Sequence, residues 1–214
     1  MDHLKYNLNN ISFEEIAKEL TNGKLIIYPT DTVYGLGASI DNEDALKNIY
    51  NVKERDYLMP LIVLVDNFDK IEKVAKINKN NKTFKILKKL TDVFWPGALT
   101  VILEKKEDIP DIITSNGNTI GVRMPKSDIA LDIIKAASGV LPTTSANISG
   151  EPTPSSYGEL SEEIKKRVEI LIDGGKCPIS VASTIIDITC DTPKILRLGA
   201  ISKKDIENVI GKIN

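Results

Sequence analysis

The feature that most limits the fold of this chain is a repeated exchange between short, continuously apolar runs and stretches whose apolar residues recur at helical spacing. Leu25–Tyr28, Leu61–Val65, Thr100–Leu103, Thr119–Arg123, Ile170–Ile172, Thr184–Ile188 and Ile195–Leu198 are three to five residues long and rich in aliphatic and β-branched side chains, as buried strands require. Between them, Phe13, Ile16, Ala17 and Leu20 share one helical face behind a Ser12–Glu15 capping box, and Gly23 can end that helix. Ala45, Leu46, Ile49 and Tyr50 form the inward stripe of a helix capped by Asp41 or Asn42 and running to about Lys53. Phe68–Ile77, Thr83–Phe94, Asp128–Ala137 and Ser202–Ile213 read as further helices. This alternation predicts an α/β domain with a mixed sheet covered by helices. No repeat, low-complexity tract or linker divides it, so one domain is expected over residues 1–214.

Several chemistries are set aside at once. His3 is the only histidine and falls in what reads as a frayed N-terminal stretch, which excludes Ser-His-Asp, Cys-His and histidine-metal mechanisms. Cys177 and Cys190 stand alone, without the spacing of a zinc site or a disulfide framework; no resident metal is expected, and a reducing, cytoplasmic setting is. The apolar runs are too short to span a bilayer, and Met1–Asn10 lacks the regions of a signal peptide, so no membrane association is expected. A formal net charge of -2 argues against attraction of the whole surface to nucleic acid, which needs concentrated Lys and Arg, yet leaves room for a local basic cavity. The Lys79–Lys89 stretch reads as the solvated face of a helix.

The chemistry-bearing residues collect where apolar runs end. Tyr28-Pro29-Thr30-Asp31-Thr32-Val33-Tyr34-Gly35-Leu36-Gly37 leaves a strand and reads as a sharp loop, with hydroxyls for oriented hydrogen bonds and glycines for close approach; a turn in which Asp31 and the threonines satisfy their own backbone fits equally. It lacks the GxxxxGK[ST] spacing of a Walker loop. Lys53-Glu54-Arg55 offers two cations to a phosphate, or, more plainly, a surface ion-pair cluster. In Trp95-Pro96-Gly97 the indole reads as a packing anchor beside a turn. Arg123, ending an apolar strand, is placed to meet a carboxylate or phosphate, with a snorkelling edge arginine as the competing account. Pro142–Gly150 is a second loop dense in hydroxyls and amides, and Ser183-Thr184 and Arg197 add a hydroxyl pair and a cation. Asp173-Gly174-Gly175 reads as a tight turn.

The order YPTDTVYGLG, KER followed by PL, WPGALT, GVRMP, TTSANISGEPTP, DGG, STIIDIT and ILRLGAI resembles the YrdC family of threonylcarbamoyl-AMP synthases over roughly residues 12–202. The resemblance implies a single YrdC-like domain, a twisted mixed β-sheet with flanking helices and a large positively charged cavity. It implies an enzyme that joins L-threonine, bicarbonate and ATP, with Mg²⁺, into L-threonylcarbamoyladenylate, releasing pyrophosphate and water. A separate tRNA threonylcarbamoyl transferase would then modify the adenosine 3′ to the anticodon. Carried over by matching motif, Thr30, Arg123 and Thr143 bind threonine; Arg55, Thr119, Ser145, Thr153 and Arg197 contact ATP; Lys53 and Arg55 neutralise phosphate charge; and Tyr34, Asn147 and Ser183 support them. This chain has Asp56 where many longer relatives have proline after the arginine, Leu64 where they have histidine, and the proportions of the short form. Two rivals are a different carbamoyl-adenylating enzyme, whose known forms carry extra domains, and a module that binds tRNA or double-stranded RNA without catalysis.

Overall fold

The computed structural model describes residues 3–8 and 10–213 and forms one ten-stranded mixed sheet. In chain order the strands are β1 Leu4–Asn7, β2 Ile26–Tyr28, β3 Gly35–Gly37, β4 Ile62–Val65, β5 Leu99–Glu104, β6 Thr119–Arg123, β7 Val140–Ser145, β8 Ile170–Asp173, β9 Thr184–Asp187 and β10 Lys194–Arg197, arranged β1-β8-β2-β3-β7-β4-β6-β5-β9-β10. Parallel pairs, such as β4 with β6 and β5 with β9, occur beside antiparallel ones, such as β3 with β7 and β5 with β6. The helices are α1 Phe13–Thr21, α2 Glu43–Lys53, α3 Ile71–Val74, α4 Lys82–Phe94, α5 Asp111–Thr114, α6 Asp128–Ala136, α7 Glu162–Lys166 and α8 Lys203–Ile210. Side-chain oxygens of Ser12, Asn42, Asn81, Ser127, Ser161 and Ser202 cap α1, α2, α4, α6, α7 and α8 by accepting an otherwise orphaned backbone N–H. No helix among the described residues is long and apolar enough to cross a membrane.

The two-residue period of the strands divides the core. Leu25, Ile27, Val63, Val65, Val101, Leu103, Ile120, Val122 and Ile186 point to one face, where they pack with residues of α2, α4 and α8 in the larger cluster. Ile26, Tyr28, Leu64 and Leu141 point to the other, where Ile16 and Leu20 of α1 and Ala130, Ile133 and Ile134 of α6 cover them. That second layer covers only part of the face. Where it stops, the same face carries Thr143, Gly121, Arg123 and Ser183 beside Ile62, Ile102 and Ile185, and these belong to the site.

Four expectations need correction. Residues 3–7 are docked, not frayed: Leu4–Asn7 pairs with β8, and the His3 ring bonds the Val168 carbonyl at 3.0 Å. Gly35–Gly37, read as part of a loop, is a strand between β2 and β7. The first four residues of Pro142–Gly150, also read as loop, complete central strand β7. The helix expected over Phe68–Ile77 is a single 3₁₀ turn followed by α3, ending at Val74 because Ala75 bridges to Lys105. The short α5 and α7 were not anticipated.

Candidate functional site

A cavity of about 580 Å³ opens over the uncovered half of the sheet face. Its floor follows the strand period: Ile62 and Leu64 from β4, Gly121 and Arg123 from β6, Ile102 from β5, Ile185 and Asp187 from β9, and Thr143 and Ser145 from β7. Thr30, Thr32, Val33 and Tyr34 form one wall, and Arg55 with residues 58–61 forms another. Gly35 is required by the packing behind this wall: a Cβ there would stand 2.8 Å from the Thr143 methyl. The glycine thus makes room for a cavity side chain, a use the loop reading did not foresee.

Arg123 is buried, 5% exposed, and its guanidinium is gripped from three sides. Nε donates to the Gly97 carbonyl at 2.9 Å, Nη1 to the Thr32 hydroxyl at 2.8 Å, and Nη2 to Asp31 Oδ1. Three of its five N–H donors are engaged, leaving one on each terminal nitrogen. Burial pulls the guanidinium below its ordinary pKa, and Asp31 opposes that shift. The Trp95-Pro96-Gly97 turn therefore serves the site as well as the core. Trp95 Nε1 donates to Leu99 O at 2.7 Å, the Gly97 N–H donates to Met124 O at 2.8 Å, and the Gly97 carbonyl holds Arg123. Thr30 makes the self-satisfied turn: its hydroxyl donates to Val33 O at 2.7 Å and accepts from the N–H groups of Thr32 and Val33, while the residue lines the cavity. Thr143 Oγ1 donates to Leu141 O at 3.0 Å and lies 2.8 Å from the Tyr28 hydroxyl.

Lys53 is neither on the surface nor among the cavity-lining residues. It is 1% exposed, and Nζ donates to the Ser145 carbonyl, to the Asn147 carbonyl at 2.6 Å and to Asn147 Oδ1 at 3.3 Å. Three acceptors match the three donors of an ammonium. Asn147 is likewise turned into the scaffold: its Oδ1 accepts from the Ser145 hydroxyl at 2.6 Å and its amide donates to the Ile148 and Glu151 carbonyls. Burial first, and the charge of Arg55 second, pull the Lys53 pKa down to about 7. The folded value is below the unfolded one, so between about pH 7 and 10.5 the unfolded chain holds the extra proton and stability rises with pH. Chemical denaturation should show a gain of roughly 2 kcal/mol from pH 7 to 9, missing in Lys53→Met.

The remaining expected residues all face the cavity. Arg55, Thr119, Ser145, Thr153, Arg197, Ser183 and Tyr34 line the cavity. Arg55 is braced by the Met59 and Pro60 carbonyls at 3.2 and 3.1 Å, and Arg197 by the Ser183 carbonyl at 2.8 Å. Burial pulls the pKa of both below the ordinary arginine value, and the charge of Arg55 adds to the shift of Arg197. Tyr34 donates to Gly175 O at 2.9 Å and accepts from Gly174 N, joining the wall to the Asp173-Gly174-Gly175 turn. At the two departures, Asp56 turns its exposed loop by accepting the Leu58 N–H at 2.9 Å, and Leu64 lines the cavity beside Arg123, its register partner. The sequence did not flag Asp31 as the brace of Arg123, nor Asp187 and the aliphatic lining of Ile102, Ile185, Leu58, Met59 and Leu196. Only Asp187, a carboxylate two residues from Ile185 in a strand, carried a period-2 signal that places it on the cavity face.

Comparison with known proteins agrees with this geometry. The Sua5/YciO/YrdC family model, described as telomere recombination, matches residues 18–199. The chain is 41% identical over 194 residues to a threonylcarbamoyl-AMP synthase of Pyrococcus abyssi, covering 91% of this chain and 56% of that protein. It is 36% identical over 207 residues to a threonylcarbamoyl-AMP synthase of Bacillus subtilis, covering 96% and 58%. The crystal structure of P. abyssi Sua5 complexed with L-threonine superposes with a TM-score of 0.88 at 38% identity, covering all of this chain and 62% of that one. The chain thus spans somewhat over half the length of these relatives.

Proposed function

This chain belongs to the Sua5/YciO/YrdC family, and on that premise we propose that it is a threonylcarbamoyl-AMP synthase. The observation that carries the reading is the convergence of Arg55, Arg123 and Arg197, with a set of uncharged hydroxyls, on one concave cavity. A site for a polyanion and an amino acid needs this combination, whereas recognition of a nucleic-acid surface needs an exposed basic face.

The two unused donors of Arg123 take the carboxylate of L-threonine, flanked by Thr30 and Thr143. The threonine amine attacks bicarbonate, losing water to give a carbamate, and a carbamate oxygen attacks the α-phosphorus of ATP as pyrophosphate leaves. No side-chain nucleophile is needed, so positioning and charge neutralisation do the catalysis. Arg55 and Arg197 neutralise the phosphates, and Thr119, Ser145 and Thr153 orient the nucleotide by hydrogen bonds. Lys53 acts through Ser145 and Asn147, fixing the backbone on which the nucleotide rests, with Asn147 and Ser183 as its counterparts in the scaffold. Mg²⁺ enters with the nucleotide, as part of the MgATP substrate. The product then passes to a separate tRNA threonylcarbamoyl transferase in the cytoplasm.

The test is pyrophosphate release from MgATP with bicarbonate and threonine, serine, glycine or no amino acid, with mass spectrometry of the product. Threonine-dependent release with a threonylcarbamoyl-adenylate mass is expected. Absence of turnover together with salt-sensitive RNA binding would sink the proposal.

A further inference from the structure

Asp187 is the only carboxylate among the described cavity-lining residues, and the reaction above gives it no part. Its place follows from register. β6 and β9 both pair with β5, one antiparallel and one parallel, so Asp187 stands level with Gly121 across Ile102, and Ile186 level with Val122 across Val101. Toward one end of the floor come Arg123, one residue past Val122, and then Ser183, which takes the Arg197 guanidinium on its carbonyl. Asp187 lies two residues, or about 7 Å, further along than Arg123 and two strands across from it, and Thr119 lies two residues beyond that level. From Thr143 to Asp187 the row crosses four strand spacings, about 19 Å.

The carboxylate is half used. Oδ1 accepts from the backbone N–H and the hydroxyl of Thr189 at 2.8 and 2.7 Å, which fixes the plane of the group. Oδ2 has only the weak thiol donor of Cys190 at 3.8 Å. A fixed anionic acceptor on a cavity floor between aliphatic neighbours repels phosphate and suits an N–H or O–H donor. Threonine is held by Thr143 and Arg123, on β7 and β6 across the floor, so the donors left are those of the nucleoside. We infer that Asp187 reads the nucleoside of ATP, its Oδ2 accepting one hydrogen bond from a ribose hydroxyl or the exocyclic amine of the base. The inference rests on the ATP-binding reading and names a specificity residue within it.

Charge and hydrogen bonding predict opposite signs for Asp187→Asn, which makes the role testable. If the carboxylate is a bystander, removing its charge tightens binding of a polyanion. If it accepts from the nucleoside, the amide now presents a donor to a donor, and MgATP binding weakens about tenfold or more. Calorimetric titrations would compare MgATP with its 2′-deoxy, 3′-deoxy and amine-free purine riboside analogues on the wild type and on Asp187→Asn. The expected result is that one analogue loses a similar factor on the wild type, while the variant no longer separates that analogue from ATP; the analogue identifies the donor. Unchanged or tighter MgATP binding by the variant, or a wild type that distinguishes none of the analogues, would overturn the inference and leave ATP binding intact. A wild type that binds no MgATP would overturn both. The wild-type analogue series decides the matter even if the variant fails to fold.

Discussion

Arg123→Met should weaken threonine binding at least thirtyfold and lower the melting temperature by roughly 10 °C, and adding Asp31→Asn should recover most of the stability but none of the binding. The reasoning starts from burial. Asp31 is 2% exposed and Arg123 is 5% exposed, and the two are ion-paired. Asp31 Oδ2 already has no hydrogen-bond partner among the described residues. Removing the guanidinium would leave a buried carboxylate with no counter-charge, a loss of about 3–5 kcal/mol. Turning that carboxylate into a neutral amide removes the uncompensated charge, so the double variant folds. Threonine recognition is a separate quantity: it needs the donors on Nη1 and Nη2, and only an arginine aimed by Gly97, Thr32 and Asp31 presents them together. Calorimetry for threonine and thermal denaturation, run on both variants, separate the two roles. Full threonine affinity in the double variant would remove Arg123 from the binding site.

Lys53→Met should slow adenylation by about a hundredfold or more while changing threonine affinity only a few-fold. The variant leaves the carbonyls of Ser145 and Asn147 without their donor at the back of the cavity, at about 1–3 kcal/mol for each unsatisfied buried group. It also frees the backbone that carries Ser145. Thr143 and Arg123 keep their own braces, Tyr28 and Leu141 for the one and Gly97, Thr32 and Asp31 for the other, so the amino-acid end keeps its geometry. Single-turnover adenylation beside a threonine titration makes the comparison. A normal adenylation rate would show that the Lys53 contacts do not position the nucleotide, and an equal loss in both would mean that the whole site had collapsed.

What could be read from the chain alone follows from where its side chains face. Ile62–Val65 and Leu99–Glu104 bury side chains on both faces and read as strands from their apolar runs. Helices α1, α2, α4, α6 and α8 were legible because an apolar stripe and a capping residue are local signals. β3 and the end of β7 were not: Gly-Leu-Gly and Thr-Thr-Ser carry the composition of a turn, because the faces that line the cavity have glycines and hydroxyls where a strand would otherwise show aliphatics.

The residues of the site were named by sequence motif, while their physical roles depended on partners distant in the chain. Lys53 beside Glu54 and Arg55 has the local appearance of a solvated cluster, and its burial comes from Ser145 and Asn147, more than ninety residues away. Arg123 is locally compatible with an edge arginine, and Asp31, 92 positions earlier, turns it into an aimed pair of donors. Asp187 looks like the end of a strand until register sets it in one row with Thr143, four strand spacings away across the floor. The sequence by itself determined the α/β class, most elements and the inventory of groups, because periodicity and capping act within a few residues. Only the tertiary structure decided which charges are buried, which donors remain free and which end of the cavity each group faces, because those depend on strand order and on contacts that no local spacing encodes.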